Sequence, residues 1–237
     1  MFAYSFLAMT SHNILKPVTK SKFIDQLGSD NLPYVLLASS VLIGVLMHLY
    51  ASAARRVPRQ YGIPITQTVL VALLVTFWVL LRNDSVWVTV ALYFFGQILG
   101  VLLLSQFWTL ANDVYDARQA KRLFGLIGGG ACLGGAVGAG ITATRVQAIG
   151  SNNLLLVSAI ALSICVLLVL KIVRLPHAYH TPEEIDERGV GGREALRLLT
   201  ESKHLRVLAG VVAFASIGAA VVDQQLSMAA EATGADG

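Results

Sequence analysis

Charged residues are scarce in this chain of 237 residues, at 14% of the total, whereas hydrophobic residues make up 55%. Soluble domains carry about 25% charged residues, so the composition excludes an ordinary soluble domain. The net charge of +4 does not indicate nucleic-acid binding, because the basic residues lie at the ends of apolar segments rather than in one patch. The sequence therefore predicts an integral membrane protein that partners the lipid bilayer and no nucleic acid.

Cysteine is nearly absent, and the motifs of common enzymes are missing. Cys132 and Cys165 lie inside apolar runs, which favours buried packing over a disulfide or a metal site. The sequence has no nucleophile elbow, no zinc-protease helix motif and no Walker lysine. Glycines 128–130 resemble a phosphate loop only superficially, since no strand precedes them. We expect neither an enzyme nor a metal site.

Uncharged runs predict an all-α, polytopic membrane bundle of about seven spans. The predicted spans are approximately 2–15, 32–53, 63–81, 86–110, 123–144, 154–173 and 205–222. Most are close to the roughly 20 residues that a hydrocarbon core requires. The first is short, so we expect it to continue through Pro17 or to be clipped at its start.

The spacing of the spans predicts three parts. Residues 1–174 form a six-span bundle, 175–204 form a cytoplasmic linker, and 205–237 hold the seventh span and a truncated external tail. Six spans, a long linker and a further span match the first half of a major-facilitator-like transporter. The second half is then missing or supplied by another chain.

The fifth predicted span is crowded with glycine. Gly130, Gly134 and Gly138 recur at every fourth residue, the small-xxx-small spacing of closely packed membrane helices. We expect these three residues to pack tightly against another helix, the second or the fourth.

The distribution of basic residues predicts the orientation. Thirteen lysines and arginines fall on one side of the predicted spans and five on the other. The positive-inside rule then places the N-terminus in the cytoplasm. Within the linker, 193–206 predicts an amphipathic helix that lies along the lipid headgroups or is an ordinary solvated helix.

Polar residues inside spans are the candidate substrate ligands, because they are costly there and face a cavity or a partner. Lys16, near the outer end of the first span, would bind an anionic substrate from a cavity, or would extend to the membrane surface instead. Asn13 lies one turn earlier. Gln97, in the fourth span, is a further candidate, with an inter-helix hydrogen bond as the alternative.

Asparagine and charged residues between the fourth and fifth spans are candidate gate residues. They are Asn112, Asp113, Asp116, Arg118, Lys121 and Arg122, with Arg55 and Arg56 of the preceding loop on the same side as candidate ion-pair partners. Simple topology-setting charge is the competing explanation.

Two motifs resemble the ATP/ADP antiporter (nucleotide transporter) family, which is related to the major-facilitator superfamily. The first comprises Phe107-Trp108, Asn112, Ala120-Lys121-Arg122 and Phe124-Gly125, and the second is Leu15-Lys16-Pro17-Val18. The resemblance implies a transporter in a bacterial-type inner membrane. It would exchange nucleotides or related phosphorylated compounds without a cofactor. The alternative is a transporter-like domain that acts as a sensor, an anchor or a scaffold, and a third is a broken, non-functional reading frame.

Overall fold

The computed structural model describes residues 1–28, 32–54, 59–83, 85–115, 117–173, 197 and 200–235. Over these residues the regular structure is helical throughout, with no strand. The helices are α1 (Phe2–Leu27), α2 (Leu32–Ala54), α3 (Arg59–Leu80), α4 (Val86–Val114), α5 (Ala117–Ile149), α6 (Ser151–Val173) and α7 (Lys203–Ala235). The predicted all-α helical bundle is confirmed.

Six of the seven described helices, α2 to α7, are long and apolar enough to cross a membrane. The chain is thus a multi-pass membrane protein. The first helix, α1, is the seventh described helix and does not meet this criterion. Its 26 residues extend for about 39 Å, but a cluster of polar residues, 10–13, interrupts its apolar sequence.

The helices extend beyond the apolar runs that predict them. The first continues past Pro17 to Leu27, and the fifth begins at Ala117 and ends at Ile149. The length of an apolar run reflects the thickness of the bilayer, whereas a helix ends where the backbone leaves the helical conformation. Gly28 (φ 76°) and Gly150 (φ 82°) end α1 and α5 in the left-handed region that glycine adopts without strain.

The chain forms two compact units. The first comprises Met1–Gly28 and Tyr34–His180, and the second comprises Ser29–Pro33 and Thr181–Gly237. Most of the predicted linker lies outside the described residues. Where the structure describes it, the Arg197 Nε atom donates a hydrogen bond to Glu201 Oε1 at 2.6 Å, one helical turn away.

In the first unit α1 occupies the centre. It packs most extensively against α5 and also against α6 and α4, while α3 packs against α6. One face of α4 is buried in the core, with Leu92, Leu99, Leu103 and Leu110 at helical spacing. A central helix does not contact lipid along much of its surface, so it tolerates polar residues that would be costly elsewhere. This position accounts for the low hydropathy of α1.

Candidate functional site

The glycine face of α5 lies directly against α1. A Cβ atom at Gly130 would lie 2.7 Å from Ser5 Oγ, and one at Gly138 would lie 2.6 Å from the Thr10 carbonyl oxygen. A Cβ atom at Gly134 would overlap the Phe6 carbonyl group. Glycine therefore sets the separation of these two helices.

The expected partner of this face, the second or the fourth helix, was wrong. The first helix presents small hydroxyl residues, and these can approach the α5 backbone closely enough to bond to it. Ser5 Oγ lies 3.0 Å from the Ile127 carbonyl oxygen and 2.9 Å from that of Phe2 in its own helix. Thr10 Oγ1 lies 3.1 Å from the Gly134 carbonyl oxygen and 2.7 Å from that of Phe6, so each hydroxyl proton is shared between α1 and α5. These bonds give the polar residues of α1 a packing role.

A pair of serines joins α1 to α6. The Oγ atoms of Ser11 and Ser158 lie 2.8 Å apart, and each Oγ also lies within 3.1 Å of the other residue's carbonyl oxygen. Both residues are fully buried. Two hydroxyl protons are thus distributed over three short contacts, which fix the middle of α1 against α6.

The interface between α1 and α4 is also close. A Cβ atom at Gly100 would overlap the His12 imidazole, and one at Gly96 would lie 3.2 Å from Thr19 Cγ2. The Nδ1 atom of His12 is buried and has no hydrogen-bond partner among the described residues. The sequence predictions did not include His12 as a site residue, although its position in the polar cluster 10–13 of a predicted span was a signal.

Of the candidate substrate ligands, Lys16 and Gln97 lie at the same level of the bundle. Lys16 is exposed on α1, and Gln97 is half-buried on α4. Gly96 of α4 faces Thr19 of α1, and Gly100 faces His12, so the two helices are antiparallel. Both Lys16 and Gln97 lie between these two contacts along their helices. Asn13 instead faces α5.

The contacts of Asn13 are those of a packing residue. Its Nδ2 atom donates a hydrogen bond to the Met9 carbonyl at 2.9 Å. A Cβ atom at Gly138 would lie 3.1 Å from the Asn13 Cβ atom. The structure thus brings Lys16 and Gln97 to one level and directs Asn13 toward α5.

The candidate gate residues fall at the α4–α5 connection, where little is described. Arg55, Arg56 and Asp116 lie outside the described residues. For the others only the helical backbone is described, with Asn112 and Asp113 in the last turn of α4 and Arg118, Lys121 and Arg122 in the first turns of α5. Their ion pairs stay a prediction.

Four polar side chains from four helices come together near the end of the bundle at which α1 begins. Gln67 Nε2 of α3 donates a hydrogen bond to Tyr4 Oη of α1 at 2.5 Å, and Gln106 Nε2 of α4 donates one to Tyr50 Oη of α2 at 3.4 Å. We call these residues the Tyr–Gln layer. These two pairs were not predicted from the sequence.

The Phe107-Trp108 pair, part of the motif on which the family resemblance rests, lines a cavity of about 150 Å³ between α1, α4 and α5. Its lining is almost wholly apolar and includes Met9, Ile127 and Ala131 besides the two aromatic residues. The two rings contact edge to face, with centroids 5.2 Å apart. Such a cavity suits packing or an apolar group rather than an anion.

The arrangement offers hydrogen-bonding groups and an exposed lysine, Lys16, on the central helix of the first unit. Over the part of the chain that the structure describes, no three histidine, cysteine or acidic side chains are grouped to hold a metal ion. No family model, curated protein or solved structure matches the chain.

Proposed function

We propose that the chain is half of a secondary transporter that exchanges nucleotides or other anionic solutes across a membrane. One observation carries the proposal: Lys16 is a charged residue on α1, the helix that packs against three others in the first unit. A charge in such a position is costly unless it faces water, a ligand or a polar partner. A lysine ammonium group suits a phosphate ligand, for which it acts as a point charge.

The packing of the first six helices supports the transporter proposal. The first helix packs against the fourth, and the third packs against the sixth. The first and third members of one three-helix group therefore contact their equivalents in the next group, which suits the three-plus-three halves of major-facilitator transporters. A second half, encoded with this chain or supplied by another, would complete a cavity beside Lys16 and Gln97.

The proposed mechanism uses binding and movement only. Lys16 would attract the anionic group, and Gln97 at the same level would donate or accept a hydrogen bond. The charged residues of the α4–α5 connection would close the opposite end. Solute gradients would drive the exchange, with the N-terminus in the cytoplasm of a bacterial-type inner membrane.

The test is exchange of labelled ATP and ADP by cells that express the chain alone or together with its downstream sequence. We expect Lys16→Ala to abolish the exchange and Lys16→Arg to retain part of it. Lys22→Ala is the matched control, because Lys22 lies on the same helix closer to its end. No exchange by any inserted form would contradict nucleotide transport and favour a sensor, anchor or scaffold.

A further inference from the structure

The Tyr–Gln layer lies inside the apolar part of the bundle rather than at its surface. Gln67 is eight residues after the start of α3 and Gln106 is eight residues before the end of α4, about 12 Å along each helix. Both fall within segments apolar enough to span a membrane. Their side chains are 0% and 1% exposed.

Each glutamine of the layer has an amide oxygen without a donor. Their Nε2 atoms bond to the two tyrosines, but Gln67 Oε1 and Gln106 Oε1 are buried and have no hydrogen-bond partner among the described residues. Rotating an amide by 180° would let the tyrosine hydroxyl donate to the oxygen. The amide nitrogen would then occupy the position of the oxygen, so in either orientation one amide atom needs a partner other than the tyrosine.

The two pairs belong to one region of the bundle. The Tyr4 ring stacks on Phe107, the neighbour of Gln106, with centroids 6.3 Å apart. The two unpaired amide oxygens therefore belong to the same part of the bundle, where lipid can supply no donor.

We propose that the Tyr–Gln layer binds water inside the bundle, with water donating hydrogen bonds to Gln67 Oε1 and Gln106 Oε1. Water suits this site because it donates to the amides and also bonds to the tyrosine hydroxyls, and buried waters typically make about three such bonds. A cation does not suit it, because the layer contains no carboxylate to balance the charge. An anion does not suit it either, because the unpaired atoms are acceptors.

Bound water at this site has a mechanical consequence for α2. The Tyr50–Gln106 hydrogen bond that ties α2 to α4 is long, and much of α2 is exposed, including Leu37 and Val41 at 69% and 70%. With water in the layer, α2 can move away from α4 without leaving the Gln106 amide unpaired. Hydration thus lowers the cost of separating α2 from α4 at this point.

The test is hydroxyl-radical footprinting by X-ray radiolysis of the full chain in lipid nanodiscs, in which radicals form from water next to a side chain. Tyr4, 1% exposed, is compared with Tyr93, 3% exposed and packed on Phe23 with centroids 4.9 Å apart. Both are tyrosines, so intrinsic reactivity is equal. We expect Tyr4 to be oxidised several-fold faster than Tyr93. Equal rates in the wild-type chain would overturn the proposal.

A variant identifies the groups that hold the water. In the double variant Gln67→Leu and Gln106→Leu, oxidation of Tyr4 should fall to the rate of Tyr93. An unchanged Tyr4 rate in a folded double variant would also overturn the proposal. Folding is checked by comparing the thiol reactivity of Cys165 with that of the exposed Cys132. Cys165 is fully buried, with Sγ 3.9 Å from the Tyr4 carbonyl oxygen. If Cys165 becomes reactive, the double variant is not folded, and the proposal is then decided by the rates of Tyr4 and Tyr93 in the wild-type chain.

Discussion

Gly134 is the position at which α5 approaches the α1 backbone most closely. The group that a new Cβ atom would overlap is the Phe6 carbonyl, which is main chain and cannot rotate away. Gly134→Ala therefore forces the two helices apart. Gly128→Ala, on the same helix, is the matched control, because a Cβ atom there would meet nothing within 4 Å.

The magnitude follows from three contributions. Replacing glycine by alanine in a helix gains up to about 1 kcal/mol at both positions. At Gly134 the overlap costs about 1–3 kcal/mol, by analogy with overpacked cores. Separation of the helices also weakens the 3.1 Å hydrogen bond from Thr10, and such bonds contribute about 0.6 kcal/mol in membrane proteins. We expect the Gly134→Ala variant to be about 2 kcal/mol less stable than the Gly128→Ala variant.

The assay is reversible unfolding of the purified chain in mixed micelles of increasing denaturing-detergent fraction, followed by circular dichroism. The free energies of unfolding of the two variants are compared with that of the wild type. Equal stability of Gly134→Ala and Gly128→Ala would refute the inferred close contact of α5 with α1.

Three further predictions concern the neighbouring contacts and the orientation. A double-mutant cycle with Ser11→Ala and Ser158→Ala should give a coupling free energy of about 0.6 kcal/mol and no more than about 1.7 kcal/mol; zero coupling would contradict the serine pair. Gly100→Ala should lower thermal stability in detergent through its overlap with His12, and adding His12→Ala should restore it, whereas Gly44→Ala, with open space around it, should be neutral. A reporter that is active only in the cytoplasm should be active when it is fused to the N-terminus. An inactive fusion would contradict the orientation expected from the basic residues.

The helices themselves were predictable from the sequence because a bilayer imposes a simple rule. A backbone that crosses lipid must bond to itself, and the crossing needs about 20 apolar residues. Uncharged runs thus located all seven described helices, although the helix ends fell outside the runs. The glycine spacing similarly singled out Gly130, Gly134 and Gly138, the residues that the structure places against α1.

The partners of these helices were decided only by the tertiary structure. Tyr4 and Gln67 are 63 residues apart, and Ser11 and Ser158 are 147 apart, so no local pattern predicts that they meet. Hydropathy also cannot distinguish a side chain that faces lipid from one that faces another helix, since both surroundings are apolar. For this reason the sequence determined the helices and the glycine face. Only the packing decided that the most polar helix lies at the centre of the first unit. It also decided that two buried amide oxygens have no hydrogen-bond partner among the described residues.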